Sequence, residues 1–206
     1  MIKAILFDFD GVLTTDATGS ESICNYICMK TGLNIKIFEK EYFKYNDDLL
    51  YGKTTHEEIW KNLCEGLNTQ IDMNILYESF INTPIDNQMM KLIDGLKKQN
   101  YKVGMVTDNK KDRIHSIVQY YNWDKVFDAI AISAEIGSGK EFNTIFEKTI
   151  NLMNVDANEC LFIDNQEKNL IIPKKIGMNV IYFDHEKRNY EKLVEEFKNL
   201  YSIKLD

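Results

Sequence analysis

The stretch Lys3-Ala4-Ile5-Leu6-Phe7-Asp8-Phe9-Asp10-Gly11 decides the fold. It is an apolar run that stops abruptly on two carboxylates and a glycine. Near-continuous apolar character over a few residues suits a strand buried on both faces, because a half-exposed strand would alternate with polar residues. Four later runs have the same character: Lys102-Val103-Gly104-Met105-Val106, Val126 to Ile132, Cys160-Leu161-Phe162-Ile163 and Asn179-Val180-Ile181-Tyr182-Phe183. One amphipathic helical pattern follows each of the second, third and fourth runs, and another fills the C-terminal tail. Strands alternating with helices predict a parallel sheet covered on both sides, that is, a three-layer, Rossmann-like α/β core.

The gap between the first and second runs breaks this rhythm. Residues 8–101 are far more than a crossover helix needs. From Ser22 to Ile81, apolar positions recur at threes and fours, as in Ile37, Phe38, Tyr42, Phe43 and in Ile59, Trp60, Leu63, Leu67. The pattern predicts an α-helical subdomain inserted at residues 16–84, with the α/β core formed by residues 1–15 and 85–206. Gly19, Gly52 and Pro84 punctuate the insertion, and Asn82-Thr83-Pro84 reads as the return hinge before a helix over residues 87–98.

Composition narrows the function classes. The 206 residues are 44% hydrophobic and 12% aromatic, enough apolar mass to exclude wholesale disorder or a collagen-like repeat. The formal charge of −7, from 32 acidic against 25 basic residues, argues against a partner bound through nucleic-acid phosphates. No run approaches the roughly 18 apolar residues of a membrane span, so the expectation is a soluble, unprocessed, cytoplasmic chain without a membrane partner. The four cysteines, Cys24, Cys28, Cys64 and Cys160, form no CxxC pair and are expected as free thiols packed in the core.

In an open parallel sheet, ligands bind outside the carboxyl ends of the strands. Asp8, Phe9, Asp10 and Gly11 follow the first run; Thr107, Asp108 and Asn109 the second; Ser133 to Lys140 the third; Asp164 and Asn165 the fourth. Carboxylates gathered at one edge repel one another unless a cation or a phosphate-bearing ligand draws them there. One carboxylate can attack phosphorus while a second protonates the departing oxygen and later deprotonates water, which fits the Asp8 and Asp10 pair. An EF-hand is excluded because Val12 and Leu13 follow where further oxygen ligands are needed. Gly139-Lys140 is no P-loop, since Ala134 and Glu141 stand where Gly and Ser/Thr are required, and Phe142 breaks the dinucleotide-binding GxGxxG pattern. Gly137 and Gly139 instead let the loop bend so that Lys140 reaches the site.

Elsewhere the reading is structural. His56, His115 and His185 match no zinc spacing. Thr54 or Thr55 is expected to cap the helix that carries His56, with His56 at the surface. A competing role for residues 51–56 is a loop facing the substrate. Asn169 is expected to fix the loop after the fourth run by hydrogen bonds, and Pro173 to shorten or kink the helix that follows. Glu195-Glu196 and Lys110-Lys111 read as solvated helix faces.

DFDGVLT at residues 8–14 region, in full Asp8-Phe9-Asp10-Gly11-Val12-Leu13-Thr14, resembles the first motif of the haloacid dehalogenase superfamily. The other motifs occur in order over nearly the whole chain: Thr107 at the end of the second run, Lys140 after the third, and FIDNQEKNL at residues 162–170. The resemblance implies an Mg²⁺-dependent phosphohydrolase acting on a small phosphorylated metabolite through an aspartyl-phosphate. It implies Asp8 as nucleophile and Asp10 as acid and base. Phe9, Gly11, Thr107, Asp108, Asn109 and Lys140 would surround the phosphate, and Asp8, the Asp10 carbonyl, Asp164 and Asn165 would surround the metal. The inserted helices would form a cap that covers the catalytic end and moves to admit substrate.

Three departures from the family pattern stand out. Asn165 occupies a position usually held by Asp, which predicts weaker Mg²⁺ affinity or a load shifted to Asp164. Glu141 replaces the Pro common after the lysine, and Asp108 replaces an Asn, with Asn109 one place later. Alternatives of the same superfamily are a phosphomutase, a 2-haloacid dehalogenase, against which Asp10 counts, and a catalytically weakened binding or regulatory relative.

Overall fold

The computed structural model describes residues 1–203. Five parallel strands form one sheet: β1 (Ala4–Phe7), β2 (Lys102–Thr107), β3 (Ala129–Ile132), β4 (Cys160–Asp164) and β5 (Asn179–Tyr182), in the order β3-β2-β1-β4-β5. β1 lies at the centre, with Ile5 opposite Val103 on one side and Leu161 on the other. The two-residue period of a strand divides each apolar run between two cores. Ile5, Phe7, Val103, Met105, Leu161 and Ile163 face one core, while Ala4, Leu6, Val106, Phe162 and Cys160 face the other. The doubly buried central strands therefore match the expected three layers.

Helices α1 (Gly19–Thr31), α2 (Ile35–Tyr42), α3 (Asn46–Leu50), α4 (His56–Gly66) and α5 (Met73–Ile81) lie in the long gap, followed by α6 (Asn87–Lys98). All of these starts except that of α3 read from a capping side chain. Thr18, Asn34, Thr55, Asp72 and Asp86 accept hydrogen bonds from the first-turn N–H groups of α1, α2, α4, α5 and α6, and Thr55 with Glu58 completes a capping box. The apolar stripes pack as expected at Phe38, Tyr42, Ile59, Trp60 and Leu63, which are all buried, whereas Ile37 and Phe43 are exposed. The remaining helices are α7 (Lys111–Tyr121), α8 (Ser133–Ile136), α9 (Asn143–Met153), α10 (Ile171–Lys175) and α11 (Tyr190–Tyr201).

Several sequence expectations need correction. The third apolar run is strand only from Ala129, because Val126 and Phe127 close a 3₁₀ turn by donating to Trp123 O. Asp128 then accepts the Val103 N–H at 2.7 Å. Two helices, not one, follow β3, and after β4 the expected helix is a 3₁₀ turn (Glu167–Leu170) running into α10 with Pro173 inside it. His56 is buried, not exposed, although Thr55 caps as expected. Lys110 is also buried; only Lys111 keeps the expected solvent exposure. The four cysteines are free and buried, and burial pushes the Cys24 and Cys160 thiols up to about 12.

The chain leaves the sheet and returns at one place. Thr14 bridges Ile85, Thr15 N donates to Pro84 O, and Asp86 N donates to Leu13 O. Arg188 locks this crossing from the far end of the chain. Its guanidinium donates to the carbonyls of Gly11 (3.0 Å), Val12 (2.9 Å) and Thr14 (3.1 Å), and its Nε donates to Asp86 at 2.7 Å. Turn carbonyls taken out of water need such donors. Tyr190 also donates to Asp86.

Burial alone would raise the Asp86 pKa, but hydrogen bonds from Tyr190 and the Met89 N–H, with the charge of Arg188, hold it below the ordinary value. A depressed folded-state pKa stabilises the fold above the unfolded value of about 3.9 and loses that contribution as pH falls through the folded value. Asp86→Asn is therefore expected to cost about 1–3 kcal/mol in urea unfolding at pH 7. The gap to wild type should narrow between about pH 5 and pH 3; a gap independent of pH over that range would contradict the assignment.

Candidate active site

β1 ends in Phe7, and after Asp8 the five residues Phe9–Leu13 form a tight, irregular turn in which Gly11 takes φ +80°. A side chain at Gly11 would be strained there and would collide with Asn165. The turn thus lets Asn165, after β4, close against the chain after β1. Asp8, Asp10, Thr107, Asp108, Asn109, Lys140, Gln166 and Asn169 line one cavity of about 310 Å³ at the carboxyl ends of the strands. Of the residues singled out in sequence, Asp8, Asp10, Thr107, Asp108, Asn109 and Lys140, from the ends of β1, β2 and β3, line this cavity, whereas Phe9, Gly11, Asp164 and Asn165 do not.

Lys140 stands between two carboxylates. Its Nζ is 2.8 Å from Asp8 Oδ2 and 2.7 Å from Asp164 Oδ2, and all three side chains are almost fully buried. Burial opposes the Lys140 charge, but Asp8, Asp164 and Asp108 outweigh it and raise its pKa above the ordinary value. One ammonium between two desolvated carboxylates leaves an excess of negative charge, so burial and then Asp164 push the Asp8 pKa well up. Asp8 Oδ1 accepts the Phe9 N–H at 2.7 Å. Asn169, as expected, donates to both Asp164 oxygens at 3.1 Å, and Gln166 N adds a bond of 2.7 Å.

Asp108 accepts the Lys140 N–H at 2.9 Å, which orients the loop carrying the lysine. Burial raises the Asp108 pKa against the opposing pull of Lys140. Gly137 takes φ +70° at the end of α8 and bends that loop toward the site. Thr107 Oγ1 accepts a hydrogen bond from Asn109 Nδ2 at 3.2 Å. The Gly11 N–H donates to Thr14 Oγ1 at 3.1 Å, so it serves the turn.

Arg113, which sequence reasoning missed, dictates the pose of Asp10. It is fully buried and grips Asp10 bidentately, with Nη1–Oδ2 and Nη2–Oδ1 both 2.9 Å, while Asn109 Nδ2 donates to Asp10 Oδ2 at 2.7 Å. Arg113 also stacks over the Phe9 ring, 5.1 Å from its centroid. The signal was present in the amphipathic pattern of α7, where Arg113 occupies a position on the same buried face as Ile114 and Ile117. His56 is the other missed group. Its Nδ1 is 2.6 Å from Asp112 Oδ2 and its Nε2 2.8 Å from the Tyr42 hydroxyl. A carboxylate only accepts, so Nδ1 carries a proton, and in the neutral ring Nε2 accepts from Tyr42. This chain ties α2 and α4 to α7. His115 pairs separately with Glu135 at 2.8 Å.

The donors near Asp8 suit a hard divalent cation. Asn165 Oδ1 is buried with no hydrogen-bond partner among the described residues, and the preceding residue, Asp164, and Asp8 carry buried carboxylates whose oxygens are held by Lys140, Asn169 and the Phe9 and Gln166 N–H groups. Oxygen ligands of this kind fit Mg²⁺. Among the described residues no cluster of three or more His, Cys, Asp or Glu side chains would hold a metal unaided. A neutral oxygen such as that of Asn165 has to complete the set.

A family profile for haloacid dehalogenase-like hydrolases matches residues 2–177. The chain belongs to the haloacid dehalogenase-like hydrolases. A glyceraldehyde 3-phosphate phosphatase of Methanocaldococcus jannaschii is 25% identical over 97% of this chain and 99% of its own length. A sesquiterpene phosphatase of Aspergillus oryzae is 31% identical over 45% of this chain; the matched region spans about half, 47%, of that relative. Among solved structures, a haloacid dehalogenase-family enzyme of Bacteroides thetaiotaomicron superposes with a TM-score of 0.71 at 17% identity, covering 93% of this chain and 98% of that one. The same enzyme in complex with magnesium and inorganic phosphate gives 0.64 at 18% identity over 88% and 94% of the two chains. These superpositions establish the fold shared with this hydrolase. No helix among its described residues is long and apolar enough to cross a membrane.

Removing Arg113 strands a buried carboxylate. Arg113→Met is expected to destabilise the hydrolase by about 3–5 kcal/mol in urea unfolding. Asp10→Asn, which leaves a group able to hydrogen-bond Arg113, should cost less. Equal stability of Arg113→Met and wild type would contradict the grip described.

Proposed function

We propose that this hydrolase is an Mg²⁺-dependent phosphatase of small phosphorylated metabolites. The observation that carries the reading is the Asp8–Lys140–Asp164 cluster, a desolvated nucleophile beside a fixed cation at the carboxyl end of a parallel sheet. Named phosphatases among its relatives support it.

Asp8 Oδ2 attacks phosphorus while the P–O bond to the leaving alcohol breaks, and the phosphoryl group is carried on Asp8. The lysine screens the anion from the incoming phosphate and keeps Asp8 oriented, a role that needs no reorganisation because Lys140 is already held by Asp164. Thr107 Oγ1 is available as a donor to a phosphoryl oxygen, since it accepts from Asn109 and donates to nothing among the described residues. Asp10, once it has left Arg113 and taken up a proton, gives that proton to the departing alcohol and then takes one from the water that hydrolyses phospho-Asp8. In the structure Arg113 and Asn109 hold its carboxylate, so the catalytic step requires Asp10 to exchange these partners. Asp8, Asp164, Asn165 and the Asp10 carbonyl would hold Mg²⁺, which supplies charge neutralisation when two anions meet.

Residues 16–84 act in this reading as a cap. Its support is twofold: the insertion leaves and re-enters beside the active-site turn, and Phe43, Asn46 and Leu50 line the same cavity as Asp8. A cavity closed from that side excludes water from the aspartyl-phosphate.

Asp8→Asn is expected to reduce phosphate release from an aryl phosphate in Mg²⁺ to background, and excess chelator should do the same to wild type. Asp10→Asn should lower the rate on an alkyl ester by about 10²–10⁴-fold. Full turnover by Asp8→Asn would overturn the mechanism. Asn165→Asp adds a charge to the donor set and is expected to lower the Mg²⁺ concentration needed for half-maximal rate; no change would show that Asn165 is not a ligand.

A further inference from the structure

Lys110 is a buried lysine with no carboxylate partner among the described residues, its Nζ 5.9 Å from the centroid of the Tyr42 ring. It is 2% exposed, yet lines the same cavity as Asp8 and Asp10. Its Nζ donates to Ser20 Oγ at 2.5 Å, and Ser20 in turn donates to Asn46 Oδ1 at 2.8 Å. An ammonium has three donors, and Ser20 takes one. Among the described residues no carboxylate pairs with it: Asp10 is committed to Arg113 and Asn109, and Asp112 to His56. Burial, followed by repulsion from Arg113, pulls the Lys110 pKa down to about 8. The contrast with Lys140, balanced by Asp8 and Asp164, is direct. A desolvated charge is costly when unpaired and favourable when a ligand supplies the opposite charge within hydrogen-bond reach.

We propose that Lys110, with Ser20 and Asn46, binds a second anionic group of the substrate, a carboxylate, so that the hydrolase acts on short phosphate monoesters of hydroxy acids. The proposal rests on the phosphatase reading above. A monoanion matches one lysine backed by neutral donors, whereas a second phosphate would bring more charge than Lys110 balances. The cavity of about 310 Å³ is of a size to hold both anionic groups of one small metabolite. Phe43, Leu50 and Ala17 supply the apolar wall along which those carbons lie. Ser20 opens α1 and Asn46 opens α3, so a ligand reaching Lys110 also engages the inserted helices.

The test compares 3-phosphoglycerate with glycerol 3-phosphate, which share a carbon skeleton and differ in carboxylate against hydroxymethyl. Wild type is expected to favour 3-phosphoglycerate in kcat/KM by about tenfold or more, the size of a charge-assisted hydrogen bond. Lys110→Met should collapse that ratio toward unity, chiefly through KM. A wild-type ratio near unity, or a ratio unchanged in Lys110→Met, overturns the proposal, and the wild-type ratio decides alone if the variant does not fold. If neither these esters nor an aryl phosphate is hydrolysed, the phosphatase reading fails. The subsite is then judged by binding: 3-phosphoglycerate should raise the wild-type Tm more than glycerol 3-phosphate, and equal shifts overturn it.

Discussion

A single ammonium held between two carboxylates organises this protein. Lys140 bridges Asp8 and Asp164 in a place where all three are removed from water. Two carboxylates at the ends of adjacent strands β1 and β4 would otherwise repel at close range in a low dielectric. The lysine makes their proximity tolerable, but leaves a net negative charge that only a further cation or a change of protonation can neutralise. That imbalance is what the proposed Mg²⁺ would offset.

Other features serve that cluster by holding its three parts from different segments. Gly11 turns sharply enough for Asn165 to close against it, and Arg188 ties the carbonyls of that turn to the C-terminal part of the chain. Asp108 fixes the backbone of Lys140, and Asn169 fixes Asp164. Charge elsewhere in the cavity is arranged by the same economy. Arg113 neutralises Asp10, His56 engages Asp112, and buried Lys110 has no carboxylate partner among the described residues.

Much of this was legible in the sequence because it is written in local pattern. β1 and β4, and the helix over residues 87–98, emerge from apolar periodicity, and the residues after the strands converge because parallel topology forces them to one edge. What escaped depends on contacts between distant segments. Lys110 and Lys111 look alike as a pair, yet one turns inward to Ser20, 90 residues earlier, and the other points to solvent. His56 is buried because Tyr42 and Asp112 satisfy both ring nitrogens, and no local rule supplies those partners. The third strand is shorter than its apolar run because Val126 and Phe127 close a turn around Trp123 before the sheet begins. Arg188 reads as one more surface charge until the turn it ligates is seen.

The most direct test of Asp8 as the phosphorylated residue uses Asp10→Asn with an aryl phosphate. The aryl leaving group needs no proton, so the first step proceeds, while water attack on the intermediate is slowed. Acid quenching followed by peptide mapping is expected to find phosphate on Asp8. Phosphate on another side chain, or aryl release at a steady rate with Asp8 unmodified, would contradict it.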